Sequence, residues 1–237
     1  MDSSLQSSTD LIARAVKVNA GVWARGLNVT AGRNIVEAAH QTVAAKAPDT
    51  SIRTQVAIDV AQLGGMYANS IRLVGTETGV GVHNAGSIGA AAGDVVLRAD
   101  GTLVNAGTLK ASENVQVSVT ETVDNTGGLL YGEKNVAVVA DTVVNRDTPA
   151  EGAGIQGDSI SINAATLDND SGAVLAGTRL DLTLSDTLSN DRGLVSAGRE
   201  THITAQTVMN RDARIEAGDT LTIAADTRSE EHTAELQ

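Results

Sequence analysis

Four histidines, His40, His83, His202 and His232, are the side chains of this chain that titrate near neutral pH, and they stand far apart, in no metal-ligand spacing. There is no Cys, so thiol nucleophiles, thiolate metal sites and disulfides are excluded. Acids gather near a recurring Asn and suggest calcium, yet the glycine-rich nonapeptide that sets an Asp at every turn of a calcium-binding β-roll does not recur. No metal and no cofactor is implied. What does recur is an amide: Asn84, Asn105, Asn125, Asn145, Asn169, Asn190 and Asn210, separated on subtraction by 21, 20, 20, 24, 21 and 20 residues. An amide offers two N–H donors and one carbonyl acceptor, so its chemistry is hydrogen bonding, and a period near twenty assigns one amide to each unit of a stack.

The phrase around each Asn shows how the unit positions it. Two residues before stand Val82, Leu103, Val123, Val143, Leu167, Leu188 and Val208, all aliphatic. The column between holds His83, Val104, Asp124, Val144, Asp168, Ser189 and Met209, a mixture suited to solvent. Side chains that alternate in, out, in have the period of a β-strand. The Asn then points inward, where an unpaired amide costs about 1–3 kcal/mol. Stacking each Asn over the next, at the ~4.8 Å spacing of paired strands, lets each amide donate to its neighbour. Thr102, Thr122, Thr142, Thr166, Thr187 and Thr207 fall in the same register. The seven asparagines are therefore read as a structural ladder.

Composition agrees with a thin core. The 237 residues are 41% hydrophobic, but Phe is absent and the aromatics are Trp23, Tyr67 and Tyr131 alone. Twenty-four Gly against 2 Pro suit tight corners between hydrogen-bonded ladders. The net charge of −12 argues against nucleic acid as a partner. No apolar run of about 18 residues is present to span a membrane.

Along the chain, residues 11–36 read as strands broken at Gly21, Gly26 and Gly32, with Trp23 as a core or end-packing ring, the alternative being a binding platform. Residues 37–54, Ala-rich and without period, read as an excursion from the stack. After each Asn corner comes an apolar step (Ile88, Leu109, Leu129, Val174, Val195, Ile215), a turn, and then a strand with paired inward aliphatics such as Val95 and Leu97. The long interval before Asn169 places a loop in RDTPAEGAG, 146–154. On the outer side, stacking pairs Arg146 with Asp170, Asp191 with Arg211 and Arg192 with Asp212, and sets Asp170 against Asp191. Residues 228–237 abandon the period, read as a weak polar helix and resemble, except at Ala234, the translation of a common sequencing adapter, so they are excluded from the fold.

The blocks AVKVNAGVWARGLNVTAGRNIV (15–36) and AIDVAQLGGMYANSIRLVGTETGVGVHNAGSIGA (57–90) resemble the later part of the secretion domain of the filamentous haemagglutinin family. These are the large exoproteins of two-partner secretion, including contact-dependent growth inhibition effectors. The NAGxL-type units that follow resemble haemagglutinin repeats. The resemblance implies a right-handed parallel β-helix, export through an outer-membrane transporter, and the shaft of an adhesin or toxin-delivery filament. In the family, asparagine-proline motifs and a signal peptide precede these blocks. Neither is found here, so Met1 is expected to lie inside a longer reading frame.

The reading is thus an all-β, right-handed parallel β-helix with coils of about 20 residues. Residues 1–87 form the later part of a two-partner secretion domain, 88–227 the repeats and 228–237 a non-repeat tail. The expected function is a structural stalk and adhesive segment of an exoprotein, secreted or on the bacterial surface. Its partners are an outer-membrane two-partner transporter and, through regions beyond this segment, a receptor on a host or neighbouring cell. The alternative is a pectin-lyase type enzyme, which shares the coil; short regular corners and scarce aromatics argue against it, and no catalytic residue is assigned.

Overall fold

The computed structural model describes residues 1–36, 43–45, 56–149, 152–230 and 234–236. Every regular element among them is a β-strand, and twenty-four strands join in one sheet whose pairings are all parallel. The chain winds as a solenoid of about ten turns with coils of about 21 residues. At ~4.8 Å per rung such a rod is about 48 Å long.

Each coil contributes to three faces. The asparagine face stacks Val16–Val18, Val56–Val60, Gly81–Asn84, Leu103–Asn105, Thr122–Asp124, Thr142–Val144 and then 166–168, 187–189 and 207–210. The aromatic face stacks Asp2–Ser3, Gly21–Ala24, Gly65–Ala68, Ser87–Ala90, Thr108–Ala111, 129–132, 154–157, 173–176, Leu194–Ala197, Arg214–Ala217 and Ala234–Leu236. The broad face runs from Thr9–Ala13 through Gly26–Ala31, Ser70–Gly75, Val95–Ala99 and Asn114–Val119 to 220–225.

Alternation fills the interior with one aliphatic column after another. Val82, Leu103, Val123, Val143, Leu167, Leu188 and Val208 are buried in the first face, and Val95 and Leu97 begin the equivalent pair of columns in the third. In the aromatic face the inward column is Ile88, Leu109, Leu130, Ile155, Val174, Val195 and Ile215. Leu130 therefore replaces the expected Leu129, which is half-buried. The reason is a corner one residue longer. Asn84 and Asn105 are followed by Ala-Gly, whereas Thr126, Gly127 and Gly128 follow Asn125 and shift the inward position by one.

Thr201 interrupts the Leu180 to Leu221 column without an unpaired hydroxyl, because its Oγ1 donates to the Glu216 carbonyl at 2.9 Å. The threonine column is in register from Thr122 through Thr142, Thr166 and Thr187 to Thr207.

The excursion at 37–54 is present where it is described. Asn34–Val36 pairs antiparallel with Val43–Ala45 in a two-stranded sheet separate from the stack, and the rest of that stretch lies outside the described residues. The expected polar helix at 228–237 is corrected. Residues 228–230 continue the strand Thr220–Glu230, and Ala234–Leu236 pairs with 215–217. Residues 231–233 and 237 lie outside the described residues. Among the described residues no helix is long and apolar enough to cross a membrane.

Candidate functional site

All seven asparagines stand in one interior column, each at most 1% exposed. The strand before each corner aims it inward, and parallel pairing sets Asn84 opposite Asn105 in direct register. Each of the first six Nδ2 atoms donates to the Oδ1 one coil onward, from Asn84 to Asn105, Asn105 to Asn125, Asn125 to Asn145, Asn145 to Asn169, Asn169 to Asn190 and Asn190 to Asn210, at 2.7–2.8 Å. All six bonds point the same way, so the amide dipoles add and each bond polarises the next.

The second N–H of each amide ties the corner shut. Asn84 donates to the Thr108 carbonyl at 3.1 Å, Asn105 to Leu129 at 3.1 Å, Asn145 to Ala173 at 2.9 Å and Asn190 to Arg214 at 3.2 Å. The ladder thus links the asparagine face of one coil to the aromatic face of the next. At its first rung, the Asn84 Oδ1 accepts the Gly86 N–H at 3.2 Å. Beyond that rung the same column holds Val60 and Val18, so the interior turns aliphatic toward the N-terminus.

Corners from Asn125 onward share a backbone device. The second residue after the Asn has a left-handed conformation: Gly127 at φ 67°, Asp147 at 52°, Ser171 at 53°, Arg192 at 55° and Asp212 at 51°. The third residue, where it is Gly128, Gly172 or Gly193, returns its N–H to the Asn carbonyl. A Cβ at Gly172 would collide with the Asn145 carbonyl and the Asn169 amide, so the ladder itself demands Gly there. In the coil after Asn145, Thr148 takes that place, buried, with its hydroxyl donating to Asn145 O and accepting the Ala173 N–H. This coil carries the expected loop at 146–154, of which residues 150 and 151 lie outside the described residues.

Charges outside these corners pair differently from their sequence columns. Asp191 and Arg211 meet at 3.0 Å as expected. Arg146, however, reaches Asp168 rather than Asp170, and the Asp168 carboxylate raises the Arg146 pKa above its ordinary value. Arg192 donates to Ser171 Oγ at 3.3 Å instead of facing Asp212. Ser171 is the neighbour on the other side in the same column, so the guanidinium turns back to the preceding coil. Asp170 does not merely repel Asp191; its Oδ1 accepts the Asp191 N–H at 3.1 Å and the Ser189 hydroxyl at 2.7 Å. On the asparagine face, Asp59 lies between His83 at 2.9 Å and Lys17 at 3.3 Å. The bond from His83, with help from Lys17, holds its carboxyl below the usual carboxylate range.

Among the described residues no group of three or more His, Asp or Glu is gathered to hold a metal ion. The surface groove over the broad face, lined by Arg98, Asn114, Gln116, Ser118 and Asn135 among others, contains no carboxylate. His40 and His232 lie outside the described residues. Trp23 is not a core ring: it is 48% exposed and stacks outside the rod on Tyr67.

Comparison with known proteins gives two family matches. A TPS secretion domain profile matches residues 1–105, and a haemagglutinin repeat profile matches 90–169, 150–191 and 178–230. The toxin CdiA of Yersinia pestis is 58% identical over 135 residues, which are 57% of this chain and 4% of that protein. The tRNA nuclease CdiA-2 of Burkholderia pseudomallei (strain 1026b) is 48% identical over 117 residues, 47% of this chain and 4% of the relative. A toxin CdiA of Escherichia coli is 33% identical over 202 residues, 78% of this chain and 6% of the relative. The chain therefore spans only 4–6% of the length of these relatives. No solved structure matches it.

Proposed function

This chain belongs to the haemagglutinin repeat family, with a TPS secretion domain match at its start, and from that premise we propose that it is a stalk and adhesive segment of a large exoprotein exported by two-partner secretion. The unbroken amide ladder is the observation that carries the reading. Each coil is held by its two neighbours and by little else, so a coil already folded presents unpaired strands and an open amide to the coil that follows. Such a chain extends by adding rungs, and it holds whatever lies distal at a fixed reach. The toxin and nuclease activities in the relatives' names are theirs; in this segment we assign no catalytic residue.

The partner in this reading is an outer-membrane two-partner transporter, and the place of action is the medium or the bacterial surface. A receptor on a host or neighbouring cell would be met through regions beyond this segment. Residues 1–87 serve as the later part of the secretion domain and 88–227 as the shaft. The pectin-lyase alternative has less support, since the family matches favour the exoprotein.

Export is the direct test. The chain, joined to a signal peptide and to the earlier part of a two-partner secretion domain and co-expressed with the matching outer-membrane transporter, is expected in the medium or in protease-accessible form on cells. Retention in the periplasm, equal with and without the transporter, would overturn the export reading. Cleavage of polygalacturonate by the purified chain would overturn the choice of stalk over enzyme.

A further inference from the structure

The chain has three aromatic residues, distant in sequence, and parallel pairing brings all of them to one outward column of the aromatic face. Its successive members are Trp23, Tyr67, Gly89, Lys110 and Tyr131. Trp23 and Tyr67 stack with centroids 5.8 Å apart and planes 22° apart, and the Lys110 ammonium lies 4.8 Å from the Tyr131 centroid. Between these two pairs stands Gly89. A Cβ built there meets only Tyr67 Cδ1, at 3.6 Å, so the column has a gap one rung wide with the free face of Tyr67 as its wall.

The wall is preorganised. Each ring leans over the glycine two residues earlier in its own strand, Trp23 over Gly21 and Tyr67 over Gly65, where any larger residue would collide with the ring. Trp23 covers one face of Tyr67, and the ring remains 39% exposed. The rim of the gap is polar: Ser87 and Thr108, half-buried, are the outward neighbours of Gly89 and Lys110 in their strands. A flat apolar ligand would leave these hydroxyls and the ammonium unmatched. A pyranose has an apolar C–H face and a rim of hydroxyls, and so fits both wall and rim.

We propose that this slot binds the pyranose ring of a glycan, with the sugar's C–H face on Tyr67 and its hydroxyls toward Ser87, Thr108 and Lys110. This deepens the adhesive part of the proposed function and rests on it, while the test uses purified chain and is independent of export.

The test is binding of the purified chain to a printed array spanning neutral, N-acetylated and acidic glycans, beside Tyr67→Ala, Gly89→Tyr and Leu175→Ala. A Cβ at Gly89 meets only Tyr67 Cδ1, at 3.6 Å, and the ring of Gly89→Tyr, turned away from Ser87, fills the slot from the outer face, so this variant keeps the test sharp even where Tyr67→Ala disturbs the fold. The chain is expected to bind at least one glycan series, with a loss of about tenfold or more in Tyr67→Ala and Gly89→Tyr and none in Leu175→Ala, farther along the column. No binding to any series, or binding that survives in Gly89→Tyr, would overturn the proposal and leave the rod and its export untouched.

Discussion

Replacing Asn145 by Leu removes three buried hydrogen bonds at once: the donation from Asn125 and the donations to Asn169 and to the Ala173 carbonyl, at 2.8, 2.8 and 2.9 Å. Asn125 keeps other acceptors, at the Gly128 and Gly154 carbonyls, so the main orphans are the Asn169 and Ala173 oxygens. Each orphan costs about 1–3 kcal/mol, and the added apolar burial of Leu returns about 1–2 kcal/mol. The net destabilisation is about 2–3 kcal/mol, read as a fall in the urea midpoint by circular dichroism. Asn145→Asp separates a polar ladder from mere shape. Its buried carboxylate can accept from Asn125 but faces the Asn169 Oδ1 with no proton to give. Burial raises the folded pKa by about 3–5 units, and near neutral pH the cost is limited by the roughly 3 units between pH 7 and the unfolded value, at 1.36 kcal/mol each, to about 4 kcal/mol. Because the folded pKa lies above the unfolded one of about 3.9, the penalty appears as pH rises past that value and is relieved below it. Relative to the parent chain, the Asp variant should thus recover stability in acid. An unchanged Leu midpoint, or an Asp variant with the parent's pH dependence, would refute the inward hydrogen-bonded placement.

Other expectations follow from the corners and the surface. Arg192→Gly should raise the unfolding midpoint by about 1 kcal/mol, since a left-handed backbone costs an L-residue about 1–2 kcal/mol and the exposed bond to Ser171 contributes little; no gain would mean that the corner is unstrained. Gly172→Ala should destabilise by more than about 2 kcal/mol, because its methyl collides with the Asn145 backbone carbonyl and with the Asn169 side-chain amide of the ladder, and protection of the Asn145 side-chain amide, which donates to Asn169, from hydrogen exchange should fall with it. Asp59 has a depressed folded pKa, so its contribution is present above the unfolded pKa and fades as pH falls through the folded one. Asp59→Asn should flatten the acid limb of the midpoint against pH, and an identical limb would dissociate the His83 and Lys17 contacts from stability. Arg146→Ala should change the midpoint by less than about 1 kcal/mol, as a surface pair does.

The repeat was legible because one buried polar residue per coil must be paired, which keeps its type and spacing constant while the outward column drifts from His83 to Met209. The coils near the N-terminus were less so, since Val18 and Val60 occupy the amide's place and carry no polar signature; the in-out pattern of Val16-Lys17-Val18 and Ile58-Asp59-Val60 was the available signal. The shift from Leu129 to Leu130 was hidden because Gly127-Gly128 and Ala-Gly corners differ by one residue, and both are turn-like. Charge pairing failed at Arg192 because column order leaves open which of two neighbours a long side chain reaches, and this one turns back to Ser171. The aromatic column could not be seen in rings as far apart as Trp23, Tyr67 and Tyr131 until the register placed them on one line.

The central claim is a continuous chain of side-chain hydrogen bonds through the rod. Scalar coupling across each bond, from the Nδ2 of one Asn to the Cγ of the next in isotopically labelled chain, measures it directly. Six serial couplings are predicted, linking Asn84 through Asn105, Asn125, Asn145, Asn169 and Asn190 to Asn210. Side-chain amides that show no such coupling and exchange freely with water would contradict the account.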